Sequence, residues 1–376
     1  MRPRRPRRRG RRARARRHLG PHDSNRTEPD GTEGVSMRKH ITGAVAIAAV
    51  AALALSGCSS SGGGGDKGGD KSYAVANVVN GNLGDQGFFD DSETGMTELK
   101  KMGVDTKTLQ ADAGNQSQWK ANVESVSTGK YNLVVVGTWQ MNDILSAAAK
   151  KFPKQHYVIY DSAVEAPNVA SIQYAQNEGS FLAGVVAAST VKNQTGLAKG
   201  SKSVGFVGGQ DAPPITDFLA GFEAGVKAVD PSIEVQKATV GDFVNSTKAY
   251  DQATAMYQKG AGVVYAVAGQ AGLGVLKASK DSNRFSIGVD SNQNQIQPGH
   301  VLASMRKFIG NSIVTAVKAD QKGELKFGET TTYDLKNKGV GLDFENNGDL
   351  VPAEVVKAVE DYTAKIVSGE ITVPKG

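Results

Sequence analysis

The stretch LVVVGTWQMNDILSAAAKKFPKQHYVIYD, residues 133–161, contains one complete structural unit of the chain. It begins with the β-branched run Leu133–Gly137 and ends with a second run of this kind, His156–Asp161. Short and continuously apolar runs are typical of buried parallel strands. Between them, Asn142–Phe152 has apolar residues at helical spacing. The stretch therefore predicts two parallel strands that are connected by a helix.

The same alternation extends over most of the chain. Before residue 175, it predicts further strands at Tyr73–Val79 and Val169–Tyr174 and further helices at Phe89–Met102 and Gln116–Thr128. The pattern then starts again, with strands at Ser203–Gly208, Glu234–Thr239, Gly262–Val267, Phe285–Val289 and Val301–Ser304 and helices at Ile215–Val229, Ser246–Lys259, Gly272–Ser282 and Pro352–Ser368. Alternating units of this kind predict a doubly wound α/β fold, and two successive sets predict two similar lobes.

Basic charge is confined to the N-terminal segment. Residues 1–57 contain fourteen of the 44 Lys and Arg residues and four of the 38 Asp and Glu residues, which leaves 30 basic and 34 acidic residues from Cys58 onward. A net charge of +6 for the whole chain would normally favour nucleic acid or an acidic membrane surface as a partner. Because the body of the protein is mildly acidic, we expect no nucleic-acid partner.

Residues 37–57 have the organisation of a lipoprotein signal peptide. A short basic segment, Met37–His40, precedes an apolar run of 15 residues, Ile41–Leu55, which is too short for a comfortable transmembrane helix. The next residues, Leu55-Ser56-Gly57-Cys58, resemble the lipobox of bacterial lipoproteins. We therefore expect cleavage before Cys58, lipidation of its sulfur, and anchoring on the extracytoplasmic face of the cell membrane.

The segments on either side of the signal peptide contain few apolar residues. Residues 1–36 are rich in arginine and should be disordered. We interpret them as translated sequence upstream of a true start at Met37, and the alternative is a nucleic-acid-binding arm with the start at Met1. Residues 58–71 are rich in Gly and Ser, which predicts a flexible tether between the membrane and a folded body.

The sequence contains no recognisable catalytic or metal-binding motif. Its single cysteine excludes an internal disulfide and a cysteine-rich metal site, and the histidines form no HExxH motif. Neither the GxSxG pattern of a nucleophile elbow nor the GxxxxGK[ST] pattern of a phosphate-binding loop occurs. We therefore expect neither a cofactor nor a metal, and a binding protein rather than an enzyme.

Polar residues at the carboxyl ends of predicted strands are candidates for ligand binding. Asp161 and Asp290 each end a predicted strand, and ligands of open α/β sheets bind outside these ends. Gly269–Gly274, GQAGLG, follows a strand and opens a helix. Its amides are suited to a polar ligand group, although the spacing alone fits a tight strand–helix turn equally well.

Five stretches of the chain form a distinctive ordered set: GDQGFFD (Gly84–Asp90), GTWQMNDIL (Gly137–Leu145), NEGSFLAGVVA (Asn177–Ala187), VGFVGGQDAPPITDFLAGFEAGV (Val204–Val226) and VDSNQ…LASMRK (Val289–Lys307). In this order they resemble the basic membrane protein (BMP) family of lipoproteins, which are substrate-binding components of nucleoside ABC importers. The resemblance covers the chain from Tyr73 to about Lys318.

The resemblance implies a type I periplasmic-binding-protein fold, in which two doubly wound lobes enclose a ligand cleft and the chain crosses between them three times. Residues 72–175 and about 305–325 would form lobe 1. Residues 176–304 and about 326–376 would form lobe 2. The chain would therefore return to lobe 1 near Ser304–Asp320.

The resemblance also implies roles for first-lobe residues. Phe88 would stack on the nucleobase, Asp85 would contact the ligand or brace its loop, and Trp139 would close the cleft. Asp161 would hydrogen-bond the edge of the base. Asn80 departs from the family, whose members often have Asp there, and an amide offers a donor as well as an acceptor.

In the second lobe, the resemblance implies that Asp290 and Lys307 hold the ribose hydroxyls, while Gly269 and Gln270 line the site. From the sequence alone, Asp290 could instead cap a strand end, and Lys307 could be an ordinary solvated lysine. We therefore expect the site residues of both lobes to lie together at one cleft in the structure.

The expected function is the capture of a nucleoside, most readily a purine nucleoside, by closure of the lobes. The closed monomer would deliver this small molecule to permease subunits of an ABC importer, whose ATP hydrolysis belongs to a separate subunit. A binding protein for a sugar or another polar metabolite, and a ligand-sensing lipoprotein, are alternatives compatible with the same sequence.

Overall fold

The computed structural model of the chain describes residues 73–376. The expected basic extension, signal peptide, lipidation site at Cys58 and tether lie outside these residues. Among these residues, none of the helices combines the length and the apolar character that a membrane span requires.

One sheet contains the strands of the first half of the chain. Its strands are β1 (Ala74–Val78), β2 (Asp105–Leu109), β3 (Leu133–Gly137), β4 (His156–Tyr160), β5 (Val169–Tyr174) and β11 (Thr330–Tyr333), and the helices between them are α1 (Phe88–Lys101), α2 (Gln116–Val126) and α3 (Asn142–Lys151). All pairings are parallel, and the strand order is β11-β5-β4-β3-β1-β2. Every residue of β1 and β3 is buried, as expected of strands covered by helices on both faces.

A second sheet contains most strands of the second half. Its strands are β6 (Ser203–Gly208), β7 (Glu234–Thr239), β8 (Ala261–Val267), β9 (Phe285–Asp290), β10 (Val301–Lys307) and β12 (Val340–Asp343). The remaining helices are α4 (Gln176–Lys192), α5 (Pro213–Val229), α6 (Ser246–Gln258), α7 (Gly272–Asp281), α8 (Ile309–Gln321) and α9 (Ala353–Val367). The order is β12-β10-β9-β8-β6-β7, and β12 alone is antiparallel to its neighbour in this sheet.

The two sheets have the same strand order when their strands are numbered along the chain. In each, the second strand lies at one edge, the first strand is its neighbour, and the third, fourth and fifth follow. This is the order of a doubly wound sheet, in which ligands bind where the order reverses. The predicted α/β fold is therefore confirmed, and we refer to the first and second sheets with their covering helices as lobe 1 and lobe 2.

Several elements were not predicted, for physical reasons that differ. β2 is a polar and partly exposed edge strand with the sequence DTKTL, so it lacks an apolar run. α4 is buried over nearly its whole length, so its apolar residues show no helical period. The short edge strand β11, TTTY, is also polar.

The expected extent of lobe 2 is wrong in one place. The resemblance assigned residues from about 326 onward to lobe 2, but β11 pairs with β5 in the sheet of lobe 1. Only from β12 onward does the chain pair with lobe 2. The reason is that the edge of the lobe 1 sheet beside β5 is open and accepts one more parallel strand before the chain crosses back.

Three segments cross between the lobes side by side. The first crossing is at Ala175, between β5 and α4, and the second is at Phe308, between β10 and α8. The third is residues 334–339, between β11 and β12. The Ala175 amide donates to Tyr333 O at 2.8 Å, and the Phe308 amide donates to Gly339 O at 3.1 Å. Ala175 and Phe308 share the same backbone angles, φ −82° and ψ 62°, so the first two crossings are conformationally equivalent.

Glycines bring the central helices into backbone contact. A Cβ atom at Gly225 of α5 would lie 2.0 Å from Phe181 O of α4, and one at Gly184 of α4 would lie 2.3 Å from Phe222 O of α5. In lobe 1, a Cβ atom at Gly95 of α1 would lie 2.6 Å from Gly310 O of α8. These helices pack so closely that no larger residue fits at the contact.

The packing predicts that Gly225→Ala destabilises the protein. In an open helix this change stabilises by about 0.5–1 kcal/mol, but here the added methyl overlaps the Phe181 carbonyl and should cost about 1–3 kcal/mol. Urea unfolding measures the difference, with Lys227→Ala on the exposed side of α5 as a control that stays within about 0.5 kcal/mol of wild type. A more stable Gly225→Ala variant would contradict this packing of α4 on α5.

Candidate ligand-binding site

A cavity of about 330 Å³ lies between the two lobes. Residues that line it follow β1, β2, β3 and β4 in lobe 1 and β6, β7, β8 and β9 in lobe 2, and the last residue of β10 also lines it. The structure brings all of the expected site residues to this one cavity: Asn80, Asp85, Phe88, Trp139, Asp161, Gly269, Gln270, Asp290 and Lys307. Loops that are far apart in the sequence meet here because the carboxyl ends of both sheets face the same space.

Asp85 holds the loop that starts α1. Its buried carboxylate accepts hydrogen bonds from the amides of Gly87, Phe89 and Asp90 at 2.9–3.1 Å. Burial raises the pKa of this carboxyl, and the three amides act in the opposite direction. Of the two roles expected for Asp85, the contacts therefore show the bracing of the loop, which sets the position of Phe88.

Phe88 sits at the first turn of α1 and reaches the cavity. Its ring meets that of Phe89 edge-on at 5.3 Å between centroids and lies 5.6 Å from the ring of Tyr160. Phe89 also lines the cavity, above Gly81, where a Cβ atom would lie 2.3 Å from its ring. Two adjacent aromatic rings therefore form the apolar wall of lobe 1.

Lys307 is a buried cation that links the lobes. It ends β10 of lobe 2, and its Nζ donates to Asp161 Oδ1 of lobe 1 at 2.6 Å. The side chains are 2% and 9% exposed, so the structure excludes the solvated lysine that the sequence left open. The ammonium also lies 4.9 Å from the ring centroid of Phe218 and 5.6 Å from those of Phe88 and Tyr174, within the range of cation–π attraction.

Asp290 is the second carboxylate near this ammonium. It is buried at the end of β9, and burial raises its pKa from 3.8 to about 7 despite the opposing effect of Lys307. Asp161, Asp85 and Asp91 raise its pKa further by like-charge repulsion. The site therefore contains a carboxyl group that changes charge near neutral pH.

Asp161 and Asp290 occupy equivalent positions in the two lobes. Each stands at the carboxyl end of the fourth strand of its sheet, and each has a positive φ, 60° and 66° respectively. Non-glycine residues rarely adopt this left-handed conformation, and in folded proteins it concentrates at functional sites. The turn directs both carboxylates toward the same space between the lobes.

Asn80 and Trp139 complete the lobe 1 side. Asn80 follows β1, is 4% exposed, and donates from Nδ2 to Gln140 Oε1 at 2.8 Å. Trp139 begins a short 3-10 turn, Trp139–Met141, that follows β3. Its ring is half-buried at the cavity. Both residues lie just beyond the end of a strand, so they belong to loops at the cavity and not to the sheet.

Gly269 and Gln270 form the corresponding turn of lobe 2. A 3-10 turn, Gly269–Ala271, follows β8 and leads directly into α7. Gly269 has a φ of +54°, and a Cβ atom there would lie 3.5 Å from Phe243 Cβ. The turn both lines the cavity and allows close packing, so the two interpretations of GQAGLG are compatible.

Several residues that the sequence did not single out also line the cavity. Gln140 follows β3, Gln210 follows β6, and Asp242 and Phe243 follow β7. Phe243 covers Gly209, where a Cβ atom would lie 2.3 Å from its ring. These residues share a position just after a strand, but this position alone does not predict which strand ends face the cleft.

No group of three or more His, Cys, Asp or Glu residues with metal-binding geometry occurs in residues 73–376. Of the carboxylates at the cavity, Asp85 and Asp242 accept hydrogen bonds from backbone amides, and Asp161 pairs with the ammonium of Lys307. The polar groups of the site are therefore suited to an organic ligand with hydrogen-bonding groups.

Comparison with known proteins assigns a family to this architecture. The model of the Bmp family, described as PnrA-like ABC transporter substrate-binding proteins, matches residues 73–376. The chain belongs to the Bmp family. The ABC transporter nucleoside-binding protein BmpA of Lactococcus lactis subsp. cremoris is 32% identical over 362 residues, which cover 90% of this chain and 99% of that protein. The CD4+ T-cell-stimulating antigen of Listeria innocua serovar 6a is 29% identical over 366 residues, with the same coverage.

A solved structure confirms the fold of this Bmp-family protein. The crystal structure of a solute-binding protein of an ABC transporter system from Aeropyrum pernix K1 matches with a TM-score of 0.73 and 25% sequence identity, over 81% of this chain and 94% of that one. The expected type I periplasmic-binding-protein fold is therefore confirmed. As a Bmp-family member, the protein is the substrate-binding component of an ABC transporter, with a small molecule and permease subunits as its partners.

The buried carboxyl of Asp290 predicts a pH-dependent stability. Between pH 4 and 7 the unfolded chain has released this proton while the folded protein retains it, so this group makes the protein less stable as pH rises. Asp290→Asn removes the titration. The free energy of unfolding of the variant, relative to wild type, should therefore rise by up to about 1.4 kcal/mol per pH unit and level off above pH 7.

Urea unfolding from pH 4.5 to 8.5 measures this difference. Asp112→Asn, at an exposed carboxylate, is the control for the loss of a carboxyl group as such. A difference between Asp290→Asn and wild type that does not vary with pH would show that Asp290 is ionised throughout.

Proposed function

We propose that this chain is the receptor of a nucleoside importer and captures a purine nucleoside between its lobes. The observation that carries the proposal is the pairing of aromatic rings from both lobes with buried hydrogen-bonding groups in one cavity. The nucleoside-binding relative from L. lactis, which is 32% identical, supports the same ligand class. The proposal includes the ligand contacts that the sequence resemblance implies for the individual site residues.

The aromatic rings are suited to a flat, apolar ring system. Phe88 lines the cavity from lobe 1 and Phe243 from lobe 2, and each occupies a loop directly after a strand. A nucleobase between them would gain about 1–3 kcal/mol from stacking on each aromatic ring, with little dependence on base identity. Closure would complete this arrangement, because the two rings belong to different lobes.

The polar groups are suited to a ribose and to the edge of a base. Asp290 and Lys307 lie side by side at the ends of neighbouring strands, where carboxylate oxygens accept from hydroxyls and an ammonium donates to them. Asp161 accepts a hydrogen bond from the Lys307 ammonium and lines the cavity from lobe 1, where the edge of the base is expected. Hydroxyl groups of a ligand would thus take the place of water at these buried charged groups, while the ion pair between Lys307 and Asp161 stays intact.

The charge of the cavity favours a ligand without phosphate. Among the described residues that line it, Asp85, Asp161, Asp242 and Asp290 carry carboxyl groups, and Lys307 carries the one cationic group. That ammonium is already paired with Asp161. A phosphorylated nucleoside would bring about two negative charges next to these carboxylates with no free cation to receive them.

The described form already has contacts that join the lobes beside the cavity. Gln293 of lobe 2 donates to Gln86 O of lobe 1 at 2.9 Å, and Ser291 of lobe 2 donates to Gly87 O at 2.8 Å. Both acceptors are in the loop that Asp85 braces. A ligand that contacts both lobes would stabilise this form by its higher affinity for it, and the permease would receive the ligand from the closed shape.

We expect the purified full chain to bind adenosine, inosine or guanosine and to melt at a higher temperature in their presence, because a ligand of the folded state stabilises it by mass action. A thermal-shift screen followed by calorimetry measures this effect. Phe88→Ala and Phe243→Ala should each lower the affinity by roughly tenfold or more, from the lost stacking. Adenosine monophosphate should bind at least about a hundredfold more weakly than adenosine.

Phe88→Leu is the matched control, since it keeps the apolar side chain but removes the aromatic face. An affinity that Leu restores fully would mean that Phe88 supplies bulk rather than stacking. A shift by a free sugar, with no response to any nucleoside, would replace the proposed ligand class. Release of a base from the nucleoside in the same samples would indicate a hydrolase instead.

The proposed receptor is held at the membrane by a lipid on Cys58. This part of the proposal rests on the lipobox-like residues 55–58 and on the Gly- and Ser-rich tether that follows them. The tether would allow a folded body of about 300 residues, Tyr73–Gly376, to reach its permease.

Expression of the full chain in a bacterial host with labelled fatty acid tests the anchor. Wild type should carry the label and fractionate with membranes, whereas Cys58→Ser should lose the label and leave the membrane fraction. Ser59→Ala should behave as wild type. Retention of Cys58→Ser in membranes, with no label on wild type, would contradict lipidation at this residue.

A further inference from the structure

Three side-chain amides form a continuous chain of hydrogen bonds across the cleft. Asn80 Nδ2 donates to Gln140 Oε1 at 2.8 Å, and Gln140 Nε2 donates to Gln210 Oε1 at 3.4 Å. Gln210 Nε2 then donates to the backbone carbonyl of Gly241 at 3.3 Å. Asn80 and Gln140 belong to lobe 1, whereas Gln210 and Gly241 belong to lobe 2. We call these three side chains the amide relay.

The Gly241 carbonyl sets the orientation of the entire amide relay. A carbonyl oxygen can only accept, so the Gln210 amide must present its NH₂ group to Gly241 and its oxygen to Gln140. Gln140 must then present its NH₂ group to Gln210 and its oxygen to Asn80. Asn80 in turn presents its NH₂ group to Gln140. Reversal of any one amide would bring two oxygens or two NH₂ groups together.

This orientation leaves one atom of the relay without a partner. Asn80 Oδ1 is buried and accepts no hydrogen bond from any residue in the described part of the chain, although Asn80 lines the cavity and is 4% exposed. A buried oxygen without a partner is costly, and a ligand donor would remove this cost. When the lobes are closed, the Asn80 NH₂ group is engaged by Gln140, so Asn80 can offer a ligand only its acceptor oxygen, Oδ1.

We propose that Gln140 is a positioning residue for specificity: it transmits the orientation of the Gly241 carbonyl to Asn80, so that the closed protein selects nucleosides with a hydrogen-bond donor on the base. The inference rests on the proposed nucleoside function and deepens it. When the lobes separate, Gln140 loses Gln210, and the Asn80 amide is free to present either its oxygen or its NH₂ group. Recognition of the base donor and closure are thus coupled through a single side chain.

Three purine nucleosides and two substitutions of Gln140 test the relay in the full chain. Adenosine carries an amino donor and inosine a ring N–H, whereas purine riboside has neither donor on the base. Wild type should bind the better of adenosine and inosine roughly tenfold more tightly than purine riboside, the effect of about one hydrogen bond. In Gln140→Leu this preference should fall to about twofold or less, because the Asn80 amide is no longer held in one orientation.

Gln140→Glu tests whether residue 140 acts by orienting the Asn80 amide or only by filling space. A carboxylate only accepts, so it still holds the Asn80 NH₂ group, and the preference over purine riboside should stay within about threefold of wild type. Overall affinity should decrease, because two oxygens then face each other at Gln210. Gln321→Leu, at an exposed glutamine in the last turn of α8, is the matched control and should bind as wild type. Thermal unfolding without ligand verifies that each variant is folded.

Calorimetric dissociation constants for the three ligands decide between the outcomes. Loss of preference in Gln140→Leu together with its retention in Gln140→Glu supports the inference. An equal loss of affinity for all three ligands in Gln140→Leu, with the preference intact, overturns it and makes Gln140 a contact between lobes only. Equal binding of the three ligands by wild type overturns it as well. If wild type binds no nucleoside at all, the proposed function fails and this inference with it.

Discussion

The buried ammonium of Lys307 constrains both lobes and the cleft between them. An unpaired charge in a protein interior is strongly destabilising, whereas a paired and surrounded charge is tolerated. Lys307 is the last residue of β10 in lobe 2, directly before the crossing at Phe308, and its partner Asp161 directly follows β4 of lobe 1. The ion pair is therefore satisfied only in arrangements that bring these two strand ends together. Because a buried ion pair is often no more stable than apolar residues of the same volume, we ascribe this pair to positioning rather than to stability.

Glycines at strand ends allow aromatic rings to lie against the backbone. The ring of Phe89 occupies the space of a Cβ atom at Gly81, and that of Phe243 does so at Gly209. Tyr160 lies in the same way over Gly137, where a Cβ atom would be 2.1 Å from its ring. Because glycine has no side chain, each of these rings lies directly against the backbone, and Phe89 and Phe243 line the cavity from opposite lobes.

The polar groups of the cavity divide into those that shape the protein and those that remain available. Asp85 is occupied by three backbone amides, and Asp161 by Lys307. Asp290 has a carboxyl whose pKa is raised to about 7, and Asn80 has an oxygen without a partner in the described chain. A ligand that donates hydrogen bonds to both would remove the cost of their burial, which links capture to closure in the function we propose.

The alternation of strands and helices follows from the sequence, because burial on both faces of a parallel sheet requires short apolar runs such as Leu133–Gly137. Through residues that resemble a known family, the sequence also predicts ligand-binding residues at strand ends, and Phe88, Asp290 and Lys307 do lie at one cavity. Elements without an apolar pattern, such as the edge strand β11, could not be predicted, and only the sheet shows to which lobe they belong.

The residues that line the cavity from lobe 2 and the orientation of the polar groups depend on how the two lobes meet. Nothing in the sequence around Phe243 or Gln210 indicates that the ends of β7 and β6 face Asn80 and Gln140 of the other lobe. The direction of the amide relay likewise depends on a backbone carbonyl more than 100 residues along the chain from Gln140, at Gly241. Local sequence determines local burial, whereas hydrogen-bond polarity across a cleft depends on which lobe surfaces meet.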